Sequence, residues 1–391
     1  MERNFFTNLP SEITTDILSR LPLRSIALSK CVCKSWLNLL DFDDFKFKTP
    51  PALALLQQTN STRCSIFEFE DEDGADLEIH DLHYIPLTHF EIRDENSEIL
   101  VGMAANGLLF IHSQGGFPQI PLFICNPITR QYIELWCPEE YIVDDDDDDD
   151  DDVHIMLSYG FGMSKISGQY KVLCNYIDAS SDSYRHVYTL GTGTWRLVEA
   201  GAVSGLGTCS PGYFVFNGIL HWVGGEDDLA HTLWVCGFDL ENECFDIFSP
   251  PPPPSVDGRG SQTRELSTLM DCLCYSYTWE DDIVIWLMKE YQVEESWTNL
   301  YKISRNGFDL DWDFASDWKY MGVKPIRLFK DGDVLMLLDQ KKLIYYSNKT
   351  KTIQQVGMLN DATAQNYVSA MIFTPSLFSF KNFVFENVIS F

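Results

Sequence analysis

The sequence predicts a mainly β chain: a small three-helix module over residues 1–48, then a β-propeller over residues 49–391, with six blades, or seven as the alternative. Two observations predict it. Helix-spaced apolar residues stop near residue 50, and beyond it short apolar runs alternate with turn dipeptides. Three of those turns, at residues 106, 217 and 331, stand 111 and 114 residues apart, so each gap holds two periods of roughly 55 residues, the size of one blade.

The helical module begins at Leu9-Pro10-Ser11-Glu12. Ser11 can cap a helix start, with Pro10 beside it and Glu12 and Asp16 near the positive end of the helix dipole. Ile13, Ile17, Leu18 and Leu21 then fall on one helical stripe. Pro22 has no amide hydrogen to continue the ladder and ends the helix. A second short helix is expected over Leu23–Lys30, and a third carries Val32, Trp36, Leu39 and Leu40 on one side. Three such helices cannot bury all this apolar surface among themselves, so the excess must meet another domain or another protein.

Past Pro51 the period is that of strands. Asn217-Gly218 separates Tyr213–Phe216 from Ile219–Val223, and Asn106-Gly107 and Asp331-Gly332 sit in the same setting. Both residues of such a turn tolerate positive φ, which makes it the strongest short-range hairpin signal. Weaker copies run from Tyr159–Gly162 into Tyr170–Cys174 and from Cys272–Tyr275 into Ile283–Met288. Each unit then shows a second hairpin, which gives five units. The strands left over, in 51–90 and 367–380, would pair to close the ring and remove its edges.

The net charge is −30, and the first fifty residues hold seven Lys/Arg against six Asp/Glu, so the acidic excess lies wholly beyond them. A surface this acidic repels phosphate backbones; it argues against nucleic acid and weakly favours a basic protein partner. Nine of the charges form the run Asp144–Asp152, which repels itself and is expected in a solvated loop between blades. Pro250–Pro254 predicts a stiff polyproline II stretch in a second loop, residues 249–255. No run approaches the ~18 apolar residues of a membrane helix, so no membrane partner is expected. The eleven cysteines are scattered, without a CxxC pair, as expected of free buried thiols in a reducing compartment. No cofactor is expected, and no catalytic motif is present. His80 and His83 lack a third ligand at metal-site spacing. Gly160-x-Gly162, Gly191-x-Gly193 and Gly205-x-Gly207 lack the last glycine of a dinucleotide loop. Trp279, Trp297, Trp312 and Trp318 are either core residues or exposed anchors on one propeller face.

Leu-Pro-x-Glu-Ile-x-x-x-Ile-Leu-x-Arg-Leu-Pro, followed by Cys31-Val32-Cys33-Lys34-Ser35-Trp36, resembles the F-box. That resemblance implies docking onto a Skp-type adaptor, and through it a cullin. It assigns the docking role to Leu9, Pro10, Ile13, Leu18, Leu21, Pro22, Val32, Cys33 and Trp36. The alternative is a helical hairpin that caps the larger domain. The rest resembles the F-box-associated domain of plant F-box proteins through Asn106–Leu109, Asn126-Pro127-Ile128-Thr129, Gly160-Phe161-Gly162, Asn217-Gly218-x-Leu220-His221-Trp222 and Phe238–Phe245. Gly224-Gly225 gives a kelch-like flavour to that propeller. The two resemblances together imply a cytoplasmic or nuclear substrate-recognition subunit of a Skp–cullin–F-box ubiquitin ligase, itself not an enzyme, with an unknown target protein. A non-ligase scaffold and a propeller enzyme are the alternatives.

Overall fold

The computed structural model describes residues 9–21, 23–40, 51–58, 62–69, 85–92, 100–113, 120–138, 157–177, 183–199, 201–203, 207–208, 212–225, 233–252, 263–304, 321–356, 367–380, 383 and 387–390. The acidic run 144–152, His80, His83, Pro22, Trp312, Trp318 and the last two residues of the proline run, Pro253 and Pro254, lie outside the described residues.

Three helices, α1 (Ser11–Ser19), α2 (Leu23–Ser29) and α3 (Lys34–Leu40), precede six antiparallel sheets. Blade I contains β1 (Ala52–Gln58), β2 (Thr62–Glu68) and β3 (Ile85–Ile92). Blade II contains β4 (Leu100–Ala105), β5 (Leu108–Ser113), β6 (Leu122–Asn126) and β7 (Gln131–Leu135). Blade III contains β8 (Leu157–Met163), β9 (Tyr170–Ile177), β10 (Ser183–Thr189) and β11 (Trp195–Val198). Blade IV contains β12 (Gly207–Thr208), β13 (Phe214–Phe216), β14 (Ile219–Gly225), β15 (Leu233–Asp239) and β16 (Phe245–Phe248). Blade V contains β17 (Arg264–Leu269), β18 (Cys272–Trp279), β19 (Asp282–Met288) and β20 (Trp297–Ser304). Blade VI contains β21 (Val323–Leu328), β22 (Val334–Leu338), β23 (Lys342–Ser347) and β24 (Thr352–Gln355).

The two remaining strands come from the C-terminal region. β25 (Val368–Phe373) joins blade I beside β1, in register from Ala52↔Phe373 to Gln57↔Val368. The ring is therefore closed by the strands that the sequence left over, and it has six blades. β26 (Val388–Ser390) adds to blade II beside β7, a strand that the sequence did not announce.

The core is divided among the joints of the ring. Six apolar clusters occupy the six contacts between neighbouring blades, from I against II round to VI against I. Strand alternation explains how one strand serves two joints. On β22, Val334, Met336 and Leu338 face blade V, while Leu335 and Leu337 face blade I. On β1, Ala52, Ala54 and Leu56 face blade II, while Leu53 and Leu55 face blade VI. A strand covered on both sides reads as a continuous apolar run, which is why these segments carry no polar alternation.

The two Asn-Gly turns form as their chemistry requires, whereas at Asp331-Gly332 only the glycine has positive φ, at 89°. Asn106 and Gly107 have φ of 41° and 91°, and Asn217 and Gly218 have 56° and 78°. Among the described residues ten cysteines are free, and Cys64, Cys125, Cys137, Cys174, Cys236 and Cys274 are buried. Trp297 is buried at the joint of blades IV and V, and Trp279 packs partly buried against the same cluster, so neither is an exposed anchor.

Candidate functional site

Two features stand apart from this packing: the outer surface of the helical module and a polar cavity on the ring axis.

The module has a very small core. Leu18, Ile26 and Leu40 are buried, with Leu21 and Trp36 packed partly buried against them. Pro10, rather than Ser11, occupies the N-cap of α1, and no side chain caps that end. Thr14 Oγ1 instead donates to the Pro10 carbonyl at 3.1 Å. Asp16 and Arg20 form an exposed ion pair one turn apart at 3.0 Å, worth a few tenths of a kcal/mol at most.

The sequence-assigned docking residues divide into three groups. Pro10, Ile13, Val32 and Cys33 are exposed. Leu9, Leu21 and Trp36 are half-buried. Leu18 has no exposed surface, so it can act only by holding the helices together. The stripe read on α1 is thus split, with Leu18 and Leu21 turned inward and Ile13 and Ile17 turned outward. Ile17, Leu28 and Leu37 are further exposed apolar residues that the motif did not single out. Five of the eleven large apolar side chains exposed among the described residues, Ile13, Ile17, Leu28, Val32 and Leu37, belong to this one short module. A concentration of that kind marks a surface made to be covered.

The axial cavity, of about 60 Å³, collects residues from five blades: His112 of blade II, Tyr213 of blade IV, Glu265 of blade V, Lys324 and Gln340 of blade VI, and Ser369 of blade I. Glu265 and Lys324 lie on β17 and β21, the first strands of adjacent blades. Burial pushes the Glu265 carboxyl up to about 7, which the Lys324 charge opposes. Burial pulls the Lys324 ammonium below its ordinary value, and Glu265 opposes that in turn. His112 is pushed down to about 4 by burial, and its Nδ1 lies 2.8 Å from the Ser113 carbonyl oxygen. A Cβ on Gly322 would lie 2.9 Å from Glu265 Oε1, so glycine at that position makes room for the carboxylate. Sequence reasoning missed this cluster because its members share no motif and come together only when the ring closes. Among the described residues no group of three His, Cys, Asp or Glu side chains could hold a metal ion, and no described helix is long and apolar enough to cross a membrane.

A short helical module with an uncovered apolar surface thus precedes a closed six-bladed propeller in one chain. Residues 56–376 match the family model of the F-box associated beta propeller domain, and residues 6–48 match that of the F-box domain. The chain belongs to the F-box proteins with an associated β-propeller domain. It is 26% identical over 382 residues to F-box protein At3g07870 of Arabidopsis thaliana, covering 88% of this chain and 85% of that one. It is 26% identical over 318 residues to the F-box/kelch-repeat protein At3g23880 of the same plant, covering 76% and 79%. It is also 25% identical over 395 residues to the Arabidopsis F-box protein CPR1, covering 93% and 88%.

Proposed function

We propose that this chain is the substrate-recognition subunit of a Skp–cullin–F-box ubiquitin ligase. The observation that carries the reading is the exposed apolar surface of the F-box module. Pro10, Ile13, Val32 and Cys33 offer direct contact to a Skp-type adaptor, and Leu9, Leu21 and Trp36 offer their exposed edges. Leu18 holds the helices beneath them. Pro22 completes the docking set assigned from the motif.

The propeller holds the target protein. The acidic excess outside the F-box favours a basic target and makes the association salt-sensitive. Catalysis belongs to other subunits, and this chain supplies proximity and orientation. The complex works in the cytoplasm, the nucleus or both.

The test is co-purification of the full-length chain with a plant Skp-type adaptor, beside a Leu9→Ala, Pro10→Ala, Trp36→Ala triple variant. A stable complex lost in the variant is the expected result. Failure of the wild-type chain to bind several such adaptors would overturn the ligase reading and leave a scaffold.

A further inference from the structure

Motifs that the sequence analysis singled out in blades II and III converge on one segment near the C-terminus, Ser376–Phe380, with Phe383 beyond it. Asn126, of the Asn126-Pro127-Ile128-Thr129 motif, is fully buried. Its Nδ2 donates to the carbonyl oxygens of Ser376 at 3.1 Å and Phe378 at 2.8 Å. Its Oδ1 accepts from the backbone amides of Ile128 at 2.9 Å and Thr129 at 3.3 Å, which fixes the amide plane. Gln131 Oε1 accepts from Ser379 Oγ at 3.1 Å and from the Phe380 amide at 3.2 Å.

Rings and glycines complete the seat. The Phe378 and Tyr170 rings meet edge to face at 5.2 Å, and Tyr170 Oη donates to the Asn106 carbonyl at 2.8 Å. Gly107, at φ +91°, leaves the space that Ser376 Oγ fills, 1.9 Å from where a Cβ would stand. Gly191, at φ +90°, does the same for the Phe383 ring. Phe380 is buried in the joint between blades II and III. The bonds from Asn126 Nδ2 and to Gln131 Oε1, the Phe378–Tyr170 contact and the two glycine seats hold the segment to the ring.

Leu377 goes the other way. Between neighbours anchored to the ring, it packs against the Leu18, Ile26 and Leu40 core of the F-box module. A core of three buried side chains, already flanked by Leu21 and Trp36, gains a further apolar partner from outside its own module, which small modules need.

We propose that Ser376–Phe380 is a strap that seats the F-box module on the propeller, with Leu377 as the positioning residue that sets where a docked adaptor stands relative to the ring. The inference rests on the ligase reading for its purpose, but the seat itself does not depend on it. Leu377 is half-buried there, so its contact favours the seated arrangement over a free one by roughly several-fold.

The experiment uses the full-length chain. Fluorophores at Glu12, on the module, and at Ile166, on the ring and 81% exposed, report the distance between the two parts by single-molecule energy transfer. Adaptor affinity is measured separately on the unlabelled chains, because Glu12 stands between the docking residues Pro10 and Ile13. The wild type gives one narrow distance distribution. Leu377→Asp broadens it or adds a second population, and Leu377→Met restores the narrow one; adaptor affinity stays within about threefold in Asn126→Ala, whose bonds go to the strap and the ring and to no docking residue. Asn126→Ala loosens the strap from the ring side without touching the module and gives the same broadening. That second variant decides the matter if Leu377→Asp unfolds the module. Narrow distributions in both Leu377→Asp and Asn126→Ala would overturn the seat. A wild-type chain that shows the narrow distribution yet binds no adaptor would overturn the ligase reading and leave the seat standing.

Discussion

His221 Nε2 lies 2.8 Å from Tyr291 Oη, a hydrogen bond that ties blade IV to the turn after β19 of blade V. The imidazole is fully buried, and the Phe216 and Phe248 rings pack around the same tyrosine. This is the histidine of the Asn-Gly-x-Leu-His-Trp motif, and it packs in a joint between blades. Tyr291→Phe removes the partner and leaves a buried imidazole nitrogen unpaired. The expected loss is about 1–3 kcal/mol in urea unfolding, with the fold unchanged by circular dichroism.

Acid weakens the ring. Burial lowers both His112 and His221 from 6.5 to about 4. The unfolded chain therefore binds protons at these sites between pH 6.5 and 4 that the folded chain refuses. The stability they contribute is complete above pH 6.5 and falls as the pH drops toward 4, by on the order of 3 kcal/mol for each histidine. Denaturant melts at pH 7 and pH 5 of the Glu265→Gln chain, which lacks the opposing titration of that carboxyl, measure this, and equal midpoints would contradict the burial of both rings.

Glu265 titrates with the opposite sign. Its carboxyl is raised from 4.5 to about 7, so the folded chain holds a proton that the unfolded chain releases. That contribution is complete below pH 4.5 and is lost as the pH rises through 7. Glu265→Gln keeps the shape and removes the titration. The variant is expected to gain on the wild type steadily from pH 5 to pH 8 in thermal melts. A constant difference across that range would mean that the carboxylate finds its compensation elsewhere.

Exposure separates contact from support in the F-box. Ile13 and Val32 are 49% and 63% exposed, so Ile13→Asp with Val32→Asp should abolish adaptor binding while helix content and melting temperature hold. Leu18→Ala should fail differently. It opens a void in a three-residue core, costs about 2–5 kcal/mol and loses the helices along with the binding. Pull-down with an adaptor, read beside circular dichroism, distinguishes the two.

The repeating part of the molecule was the legible part. Asn106-Gly107 and Asn217-Gly218 announce their hairpins because few other dipeptides adopt positive φ at both positions. The pairing of 51–90 with 367–380 followed from the need to leave no edge. Within the F-box, spacing located the α1 stripe but put Ile13, Ile17 and Leu18 on one face, whereas the packing turns Leu18 inward and leaves the two isoleucines outside. Periodicity gives the face of a helix and cannot say where, within a broad stripe, the neighbouring helix sits. Glu265 and Lys324 were invisible for a related reason. Each sits in a strand of mixed composition, Glu265 beside Arg264 on β17 and Lys324 with Arg327 on β21, and only ring closure sets them around one cavity. Leu377 carried no signal, since a leucine flanked by Ser376 and Phe378 reads like any other near the end of a β domain.

The bond between β1 and β25 also has a consequence in time. β1 is made early in synthesis and its neighbour nearly last, so on the ribosome the first blade waits with one side uncovered until almost the whole chain has emerged. Until then its backbone donors and acceptors are open to any passing strand. A nascent chain stalled before Val368 would present this unpaired flank, and a premature stop there would cost the cell an aggregation-prone fragment rather than a slightly shorter protein.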